Sequence, residues 1–303
     1  MKAAVFEYHR PASAEAAVEM LAELGEDAKV LAGGQSLVPV MAMRLGRPEH
    51  LVDVNRIAEL GGVSRSDGML RVGALTRHRA LERDEAIGRD VPLLARAATH
   101  IGHFQIRNRG TLGGSLAHAD PAAELPAVAV ALDAVIEARS VLGSRSIPAG
   151  DFFVSAFTTV LEPDELVTAV HLPAWGPGSG FAVAELARRH GDFAIAGAAC
   201  GLQVADGRIV RAAVALIGMG SVPIRALTAE QALSGAAADA GAGADEADLA
   251  AVGRDAVAAL EPPSDAHGSA AYRRRVGAHM VARALGLALA EAREAQETQG
   301  VPA

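Results

Sequence analysis

The 303-residue sequence contains a single cysteine, Cys200, and this scarcity limits the chemistry that the chain can host by itself. One cysteine cannot form an internal disulfide, and it cannot hold an iron–sulfur cluster, which requires several thiolate ligands. The sequence therefore fits a reducing compartment and excludes an iron–sulfur centre held by this chain alone.

Long apolar runs and a secretory signal are missing as well. No stretch reaches the roughly 18 consecutive apolar residues of a membrane-spanning helix, and the start, Met1 to Glu7, lacks the apolar core of a signal peptide. We therefore expect a cytoplasmic protein without a membrane span. The net charge of -8 also argues against a nucleic-acid partner, which would be bound through its phosphates.

Several catalytic signatures are absent too. Ser115 does not lie in a Gly-x-Ser-x-Gly elbow, and no glycine stretch has the spacing of a P-loop or of a Rossmann dinucleotide fingerprint. His100, His103 and His118 lie close together in sequence, but no cysteine or carboxylate pattern accompanies them. A metal site there stays open as an alternative to ordinary loop and helix histidines.

Aromatic residues make up only 3% of a chain that is 50% hydrophobic, so the core must consist mostly of Ala, Val and Leu. The length suggests about two domains. Hydrophobic periodicity, capping residues and turn residues predict the following elements. Helices are expected at 13–25, 37–45, 77–87 (capped by Thr76), 91–101, 124–132, 229–233, 246–260 and 270–294. Strands are expected at 29–32, 51–54, 69–75, 134–138, 165–172, 181–186, 195–204 and 208–215.

Two Gly-Gly stretches dominate the first half, one within Val30 to Leu37 and a longer one within Ile106 to Pro121. Glycine lets the backbone approach a ligand closely, and successive backbone N–H groups in such a turn can form a concave anion site. Either stretch alone could be an ordinary turn. Together they favour two loops that grip one extended, phosphate-bearing ligand, with redox chemistry supplied by that cofactor.

Three blocks resemble the FAD-binding medium subunit of the molybdenum hydroxylases, the group of xanthine dehydrogenase and aerobic carbon monoxide dehydrogenase. The first is Ala32-Gly33-Gly34-Gln35-Ser36-Leu37, and the second runs from Ile106 to Pro126. The third is Arg188 to Ala194, together with Ser264-Asp265 and Ser269 to Arg274. The second block is the most diagnostic, and the resemblance covers most of the chain.

The resemblance implies an α+β fold. Residues 1–175 would form a two-lobed, PCMH-type FAD-binding domain, with lobes at about 1–57 and 58–175. Residues 181–287 would form a C-terminal domain with a three-stranded antiparallel sheet and a helical bundle, after a linker near Gly176 to Gly180. Residues 288–303 are expected to be a flexible tail, and 235–245 a mobile surface loop of unassigned role.

The resemblance also implies the cofactor site. The two Gly-Gly loops would wrap the FAD pyrophosphate, and Glu124 would accept hydrogen bonds from sugar hydroxyls, although it also suits a helix start. Ile101, Asp192 and Phe193 would lie near the flavin, with core packing as the alternative for Ile101 and Phe193. The full predicted set is Leu31, Ala32, Gly33, Gly34, Gln35, Ser36, Leu37, Ile101, Thr111, Gly113, Gly114, Ser115, Glu124, Asp192 and Phe193.

The implied function is electron transfer within an oxidoreductase complex. A large partner subunit would carry molybdopterin, a small one would carry two [2Fe-2S] clusters, and this chain would pass electrons from FAD to an external acceptor. The assembly would be a dimer of heterotrimers. Electron transfer to a flavin requires no acid or base from this chain, so no catalytic residue and no metal ligand are assigned. The alternatives are a self-contained FAD-dependent oxidase or reductase, and a flavin-free assembly subunit.

Overall fold

The computed structural model of the chain describes residues 2–238 and 246–299. The strands are β1 Glu7–His9, β2 Ala28–Leu31, β3 His50–Asp53, β4 Val63–Ser66, β5 Met69–Gly73, β6 Val135–Ser140, β7 Gly143–Pro148, β8 Phe153–Ser155, β9 Thr158–Thr159, β10 Leu166–Pro173, β11 Ser179–Leu186, β12 Ala196–Ala205, β13 Arg208–Ile217 and β14 Ile224–Arg225. The helices are α1 Ala14–Leu24, α2 Leu37–Ala42, α3 His78–Leu81, α4 Glu85–Asp90, α5 Pro92–His100, α6 Phe104–Arg107, α7 Leu112–His118, α8 Glu124–Ala131, α9 Ala149–Phe152, α10 Leu227–Leu233, α11 Glu246–Val257 and α12 Ala270–Gln299. This mixture of helices and separate sheets confirms the predicted α+β class.

The first sheet is parallel and contains β1, β3 and β2 in that order. Helix α1 packs against it and begins where the sequence predicts, because the Ser13 side chain accepts a hydrogen bond from the Ala16 N–H at 3.1 Å. The helix ends at Gly25, which has a φ of +60°. Its buried face consists of Ala14, Ala17, Val18 and Leu21.

The second sheet is antiparallel throughout, in the order β4-β5-β10-β6-β7. The sequence predicted its three central strands but neither edge strand. Strands β4 and β7 expose most of their side chains and carry polar residues such as Ser64, Arg65, Ser144 and Arg145. Strands without a buried face lack the apolar alternation on which sequence prediction depends.

The third sheet contains the three long antiparallel strands implied by the resemblance, β11, β12 and β13, and a two-residue fourth strand, β14. Helices α5 and α8 pack on one face of this sheet, and α12 packs on the other. Strand β12 is therefore buried on both sides, with Cys200 in the cluster beneath α12 and Ala199 in the cluster shared with α8. Because both faces are covered, small residues set how closely the layers approach.

An ion pair joins the helices on opposite faces of the third sheet. The Arg96 guanidinium of α5 donates two hydrogen bonds, each of 2.5 Å, to the Glu291 carboxylate of α12. The same carboxylate accepts from the Phe181 N–H of β11 at 2.8 Å, and Arg96 also donates to the Phe181 carbonyl. The Arg96–Glu291 pair therefore fixes α5, the edge strand β11 and α12 relative to one another.

The single helix predicted at 77–87 is wrong. Two short helices, α3 and α4, occupy this region, and Thr76 caps neither of them. The Asp84 carboxylate accepts hydrogen bonds from the N–H groups of Ala86 and Ile87, at 2.9 and 3.1 Å, and starts the second helix there. An Asp that caps a new helix divides one predicted helix into two. The helical spacing of the apolar residues continues across the break, so it does not reveal the division.

The flexible tail predicted from residue 288 is also wrong as far as Gln299, because α12 continues to that residue. Ala288, Leu289 and Ala292 are buried against the third sheet. Most of the predicted 235–245 loop lies outside the described residues, as do residues 300–303. Within the described ranges, no helix combines the length and apolarity needed to cross a bilayer.

We expect the Gly180→Ala substitution to destabilise the fold. A methyl group on Gly180 would fall on the Ala288 carbonyl oxygen and would lie 2.5 Å from the Ala292 nitrogen, so β11 and α12 would have to separate. The free energy of unfolding should fall by about 1–3 kcal/mol, the usual cost of overpacking, as measured by urea denaturation. The matched control is Gly88→Ala, since a methyl group there meets nothing within 4 Å. The control should leave stability unchanged or raise it by about 0.5–1 kcal/mol, and equal effects of the two substitutions would contradict this account.

Candidate functional site

A cleft of about 890 Å³ lies between the first two sheets and reaches a loop of the third. All the predicted site residues line it except Leu31, which lies beneath the first glycine loop and would contact a methyl group on Gly34 at 3.3 Å. Segments more than 150 residues apart in sequence, from Gly33 to Phe193, thus face one cavity. The structure therefore brings together the residues that the resemblance assigned to one cofactor site.

The first glycine loop follows β2 and leads into α2. Gly34 has a φ of +72°, a backbone conformation that residues with a Cβ rarely adopt. The Gln35 side chain folds back and donates a hydrogen bond to the Gly33 carbonyl at 2.9 Å. Ser36 precedes α2 without capping it through its side chain. The loop is thus a tight turn that presents backbone and small side chains to the cleft.

The second glycine segment, predicted as a loop, is the first turn of helix α7. Thr111 is its N-cap, and its hydroxyl oxygen accepts from the Gly114 N–H at 3.2 Å. A methyl group on Gly113 would lie 2.6 Å from the Ala74 Cβ, so only glycine allows the helix to sit this close to the second sheet. The two glycines are thus part of the helix packing, and Gly114 and Ser115 line the cleft.

The two glycine segments meet at Gly33. A Cβ on this residue would lie 2.6 Å from the Arg109 carbonyl oxygen and 2.7 Å from the Gly110 Cα, distances that real Cβ atoms do not show. The absence of a side chain at Gly33 therefore sets the separation of the two segments that border the cleft.

A polar clamp that the sequence did not reveal holds this contact. The Asn55 side-chain amide donates to the Ala32 carbonyl at 2.7 Å, and its oxygen accepts from Arg77 at 2.7 Å. Arg77 also donates to the Arg109 carbonyl. Asn55 and Arg77 thus connect the first glycine loop to the second. Asn55 follows β3 and Arg77 follows β5, so the two residues come from different sheets.

His78 supports the second segment from behind. Burial holds the pKa of His78 down at about 4, so the imidazole is neutral at physiological pH. Its Nε2 lies 2.9 Å from the Thr111 carbonyl and must carry the proton to donate to it. A methyl group on Gly110 would lie 2.7 Å from this ring, which explains a second obligatory glycine near the cleft.

Glu124 lies at the start of α8, is buried and lines the cleft. Burial raises the pKa of Glu124 to about 8, and the negative charges of Glu185 and Asp120 add to the effect. The carboxyl is therefore protonated at neutral pH and can both donate and accept hydrogen bonds. Glu124 lies at the helix start as predicted, but a protonated carboxyl gains nothing from the helix dipole, whereas it can serve as a hydrogen-bond partner for hydroxyls.

The loop from the third sheet closes the far end of the cleft. Gly191 has a φ of +88°, and a methyl group on it would lie 2.8 Å from the His103 ring. This close approach places Asp192 and Phe193 in the cleft lining, and the Phe193 side chain is 67% exposed. Core packing, the alternative interpretation of Phe193, is therefore wrong. Ile101 also lines the cleft and packs partly against the core, so its two interpretations coexist.

The three histidines considered as metal ligands have separate environments. His100 lies 3.2 Å from the Glu185 carboxylate, whereas the rings of His103 and His118 lie against other rings. Sequence reasoning also missed Phe157, an exposed cleft residue with a φ of +61°, which no local pattern marks.

Comparison with known proteins gives matches over nearly the whole chain. Residues 4–175 match the family model described as the FAD binding domain in molybdopterin dehydrogenase. Residues 181–288 match the model of the CO dehydrogenase flavoprotein C-terminal domain. The first model thus covers the two glycine segments, and the second covers the loop that brings Asp192 and Phe193 to the cleft.

Individual relatives match at full length. The chain is 45% identical to the 6-hydroxypseudooxynicotine dehydrogenase complex subunit alpha of Paenarthrobacter nicotinovorans, over 98% of this chain and 99% of that protein. It is 38% identical to the carbon monoxide dehydrogenase medium chain of Hydrogenophaga pseudoflava, over 94% and 97% of the two chains. A solved structure of the carbon monoxide dehydrogenase from the latter organism superimposes with a TM-score of 0.91 at 39% identity, covering 96% of this chain and 99% of the matched chain.

The raised pKa of Glu124 predicts that stability depends on pH. Between about pH 4.5 and pH 8 the folded chain retains a proton that the unfolded chain loses, so stability must fall as the pH rises through this window. The Glu124→Gln variant cannot lose this proton. Relative to the variant, the free energy of unfolding of the original protein should fall by at least about 1 kcal/mol between pH 5 and pH 9. Urea denaturation of the flavin-free proteins at both pH values measures this difference.

A control substitution at an exposed carboxylate separates this effect from a general loss of charge. Glu261 is exposed, and Glu261→Gln should track the original protein across the pH range. Parallel pH dependence of Glu124→Gln and the original protein would contradict a buried, protonated Glu124.

Proposed function

The chain belongs to the family of FAD-binding medium subunits of molybdenum hydroxylase complexes of the carbon monoxide dehydrogenase type, and from that premise we propose that its cleft holds FAD and relays electrons to an external acceptor. The observation that carries the proposal is the meeting of the two glycine segments at the mouth of one cavity. The cleft is lined by both glycine segments and also by Glu124, Asp192 and Phe193, so it can take an extended ligand whose phosphates lie against the glycine segments.

The proposed contacts follow from the lining of the cleft. Residues 32–37 would hold the pyrophosphate through backbone N–H groups and the Ser36 hydroxyl. Residues 111–115 would add the hydroxyls of Thr111 and Ser115, because the N–H groups of residues 112–115 already donate to oxygens of this chain. The protonated carboxyl of Glu124 would bind sugar hydroxyls, because it can donate as well as accept. Ile101, Asp192 and Phe193 would surround the flavin ring, and Leu31 would support the first loop from below.

FAD, when bound, supplies the redox chemistry, since it can take up electrons singly and release them in pairs. The residues of this chain would bind and orient it through the mixed polar and apolar lining of the cleft. No residue of the chain needs to act as an acid or base in this function. Cys200 takes no part in it, because the thiol is fully buried and burial raises its pKa far above the usual range.

The proposed partners complete the electron path. A small subunit with two [2Fe-2S] clusters would deliver electrons from a large molybdopterin subunit, and two such heterotrimers would pair. The proposed division is 1–175 for FAD binding, in two lobes that meet near residue 57, and 181–287 for the C-terminal domain. The names of the relatives given above refer to different compounds. Similarity of the medium subunit therefore does not identify the substrate.

The Gly33→Ala variant tests the cofactor site. A methyl group at 2.6 Å from the Arg109 carbonyl would force the two glycine segments apart, so we expect the affinity for FAD to fall at least about tenfold, equivalent to ~1.4 kcal/mol. The flavin content of the purified complex, measured by visible absorbance and mass spectrometry of the released chromophore, gives the result. Gly88→Ala, which is outside the cleft lining, should retain full flavin content. If Gly33→Ala fails to fold, Ser115→Ala offers a milder test, since it removes one hydroxyl and should cost about 1 kcal/mol.

The electron-relay role is tested in the flavin-depleted complex. Substrate should still reduce the iron–sulfur clusters there, while reduction of the external acceptor should fall at least about tenfold. Oxidation of a substrate by the isolated FAD-loaded chain would instead support a self-contained oxidase or reductase. A chain that takes up no FAD even with both partners present would support an assembly subunit.

A further inference from the structure

Two histidines and a glutamate meet at the edge of the first sheet, away from the residues that line the cleft. Glu7 and His9 belong to β1, and His50 begins β3. Among the described residues, these are the three side chains whose possible ligand atoms all lie within 4.8 Å of one another. None of the three takes part in the proposed flavin site.

The pairing of the strands places these side chains on the same face. Glu7 is the register partner of His50 across the parallel pair β1–β3, and His9 follows Glu7 by two residues, so it points to the same side. Tyr8, between them, points to the other side, where its hydroxyl donates to the Asp53 carboxylate. The cluster therefore follows from the backbone arrangement of the sheet.

The three ligand atoms form a compact triangle. His9 Nε2 lies 3.0 Å from His50 Nδ1, and Glu7 Oε2 lies 3.5 Å from His50 Nδ1 and 3.8 Å from His9 Nε2. With metal–ligand bonds of about 2.0–2.1 Å, ligand atoms of a tetrahedral zinc ion are separated by about 3.3–3.5 Å. Each observed separation is within about 0.3–0.4 Å of that range, a shift that small side-chain rotations provide.

The competing explanation is a hydrogen bond between the two imidazoles, since 3.0 Å also suits an N–H···N contact. Such a bond does not require the carboxylate, yet Glu7 Oε2 lies within 4 Å of both ring nitrogens. The two histidine side chains are about four-fifths buried, whereas Glu7 is mostly exposed. The face toward solvent is thus open for an ion to enter and to keep a water ligand.

We propose that Glu7, His9 and His50 form a zinc-type site that binds a divalent cation of borderline softness through two imidazoles and one carboxylate. This ligand set suits zinc and leaves at least one coordination position for water. A bound ion would connect the three-residue edge strand β1 to β3. It would thereby hold Tyr8 against Asp53, which accepts from Asn55 at 2.6 Å, the residue that anchors the first glycine loop.

Zinc titration of the full-length, tag-free chain tests the proposal. Isothermal titration in a non-chelating buffer should show one saturable site for Zn²⁺, and cobalt substitution should give the visible absorption of a low-coordinate Co²⁺ site. His50→Asn, His9→Asn and Glu7→Gln should each weaken binding at least about tenfold, because each removes a direct ligand. Binding should also raise the melting temperature of the original chain.

His171 provides a matched control. Its Nε2 lies 3.2 Å from Glu137, a His–carboxylate pair without a second histidine, so His171→Asn should leave zinc affinity unchanged. Circular dichroism verifies that each variant is folded. The absence of a saturable site in the original chain, or equal zinc affinity in the original chain and His50→Asn, would overturn the proposal. Neither result depends on whether the chain binds FAD.

Discussion

The close contact between Gly33 and the Arg109–Gly110 backbone is the constraint on which the cleft depends. No side chain fits there, because even a methyl group would lie 2.6 Å from a carbonyl oxygen. Glycine at this position lets the loop after β2 and the segment before α7 meet as backbone against backbone, and small residues of both segments line the cavity. The Asn55–Arg77 clamp fixes the contact with hydrogen bonds to backbone carbonyls on both sides. The glycines permit the contact, and the polar side chains hold it in place.

Close packing of small side chains also characterises the core around helix α8. Helix α8 is buried over its whole length, since α5 and the third sheet cover it, and it shows no amphipathic face. A helix in such a position can present a buried carboxyl at its first residue, and Glu124 does so at the base of the cleft. Glu185 faces it from β11, and its other neighbour is His100 of α5. Burial is the main cause of the raised pKa of Glu124, and the Glu185 charge on the third sheet adds to it.

Local patterns predicted the features that depend on local physics. The Ser13 cap, the Gly25 helix end and the long strands of the third sheet follow from capping, backbone freedom and apolar periodicity. The residues that line the cleft were found through the resemblance and the glycine pairs. What escaped prediction depends on distant partners. Asn55 and Arg77 are ordinary polar residues until the fold places them between two loops. The Arg96–Glu291 pair escaped prediction in the same way, because its two residues are distant in sequence and meet only across the third sheet.

The charge distribution around the glycine segments reconciles an acidic protein with an anionic ligand. The chain carries a net charge of -8, yet the guanidinium of Arg77 lies directly behind the first loop and donates to neutral oxygens of Asn55 and Arg109. Partial burial and the nearby Arg109 lower the pKa of Arg77, but a guanidinium remains protonated throughout the physiological range. Burial keeps His78 neutral and leaves it to orient the second segment. The Arg77 guanidinium thus lies beside the contact of the two glycine segments, and the buried Glu124 carboxyl, protonated at neutral pH, adds no negative charge to the cleft.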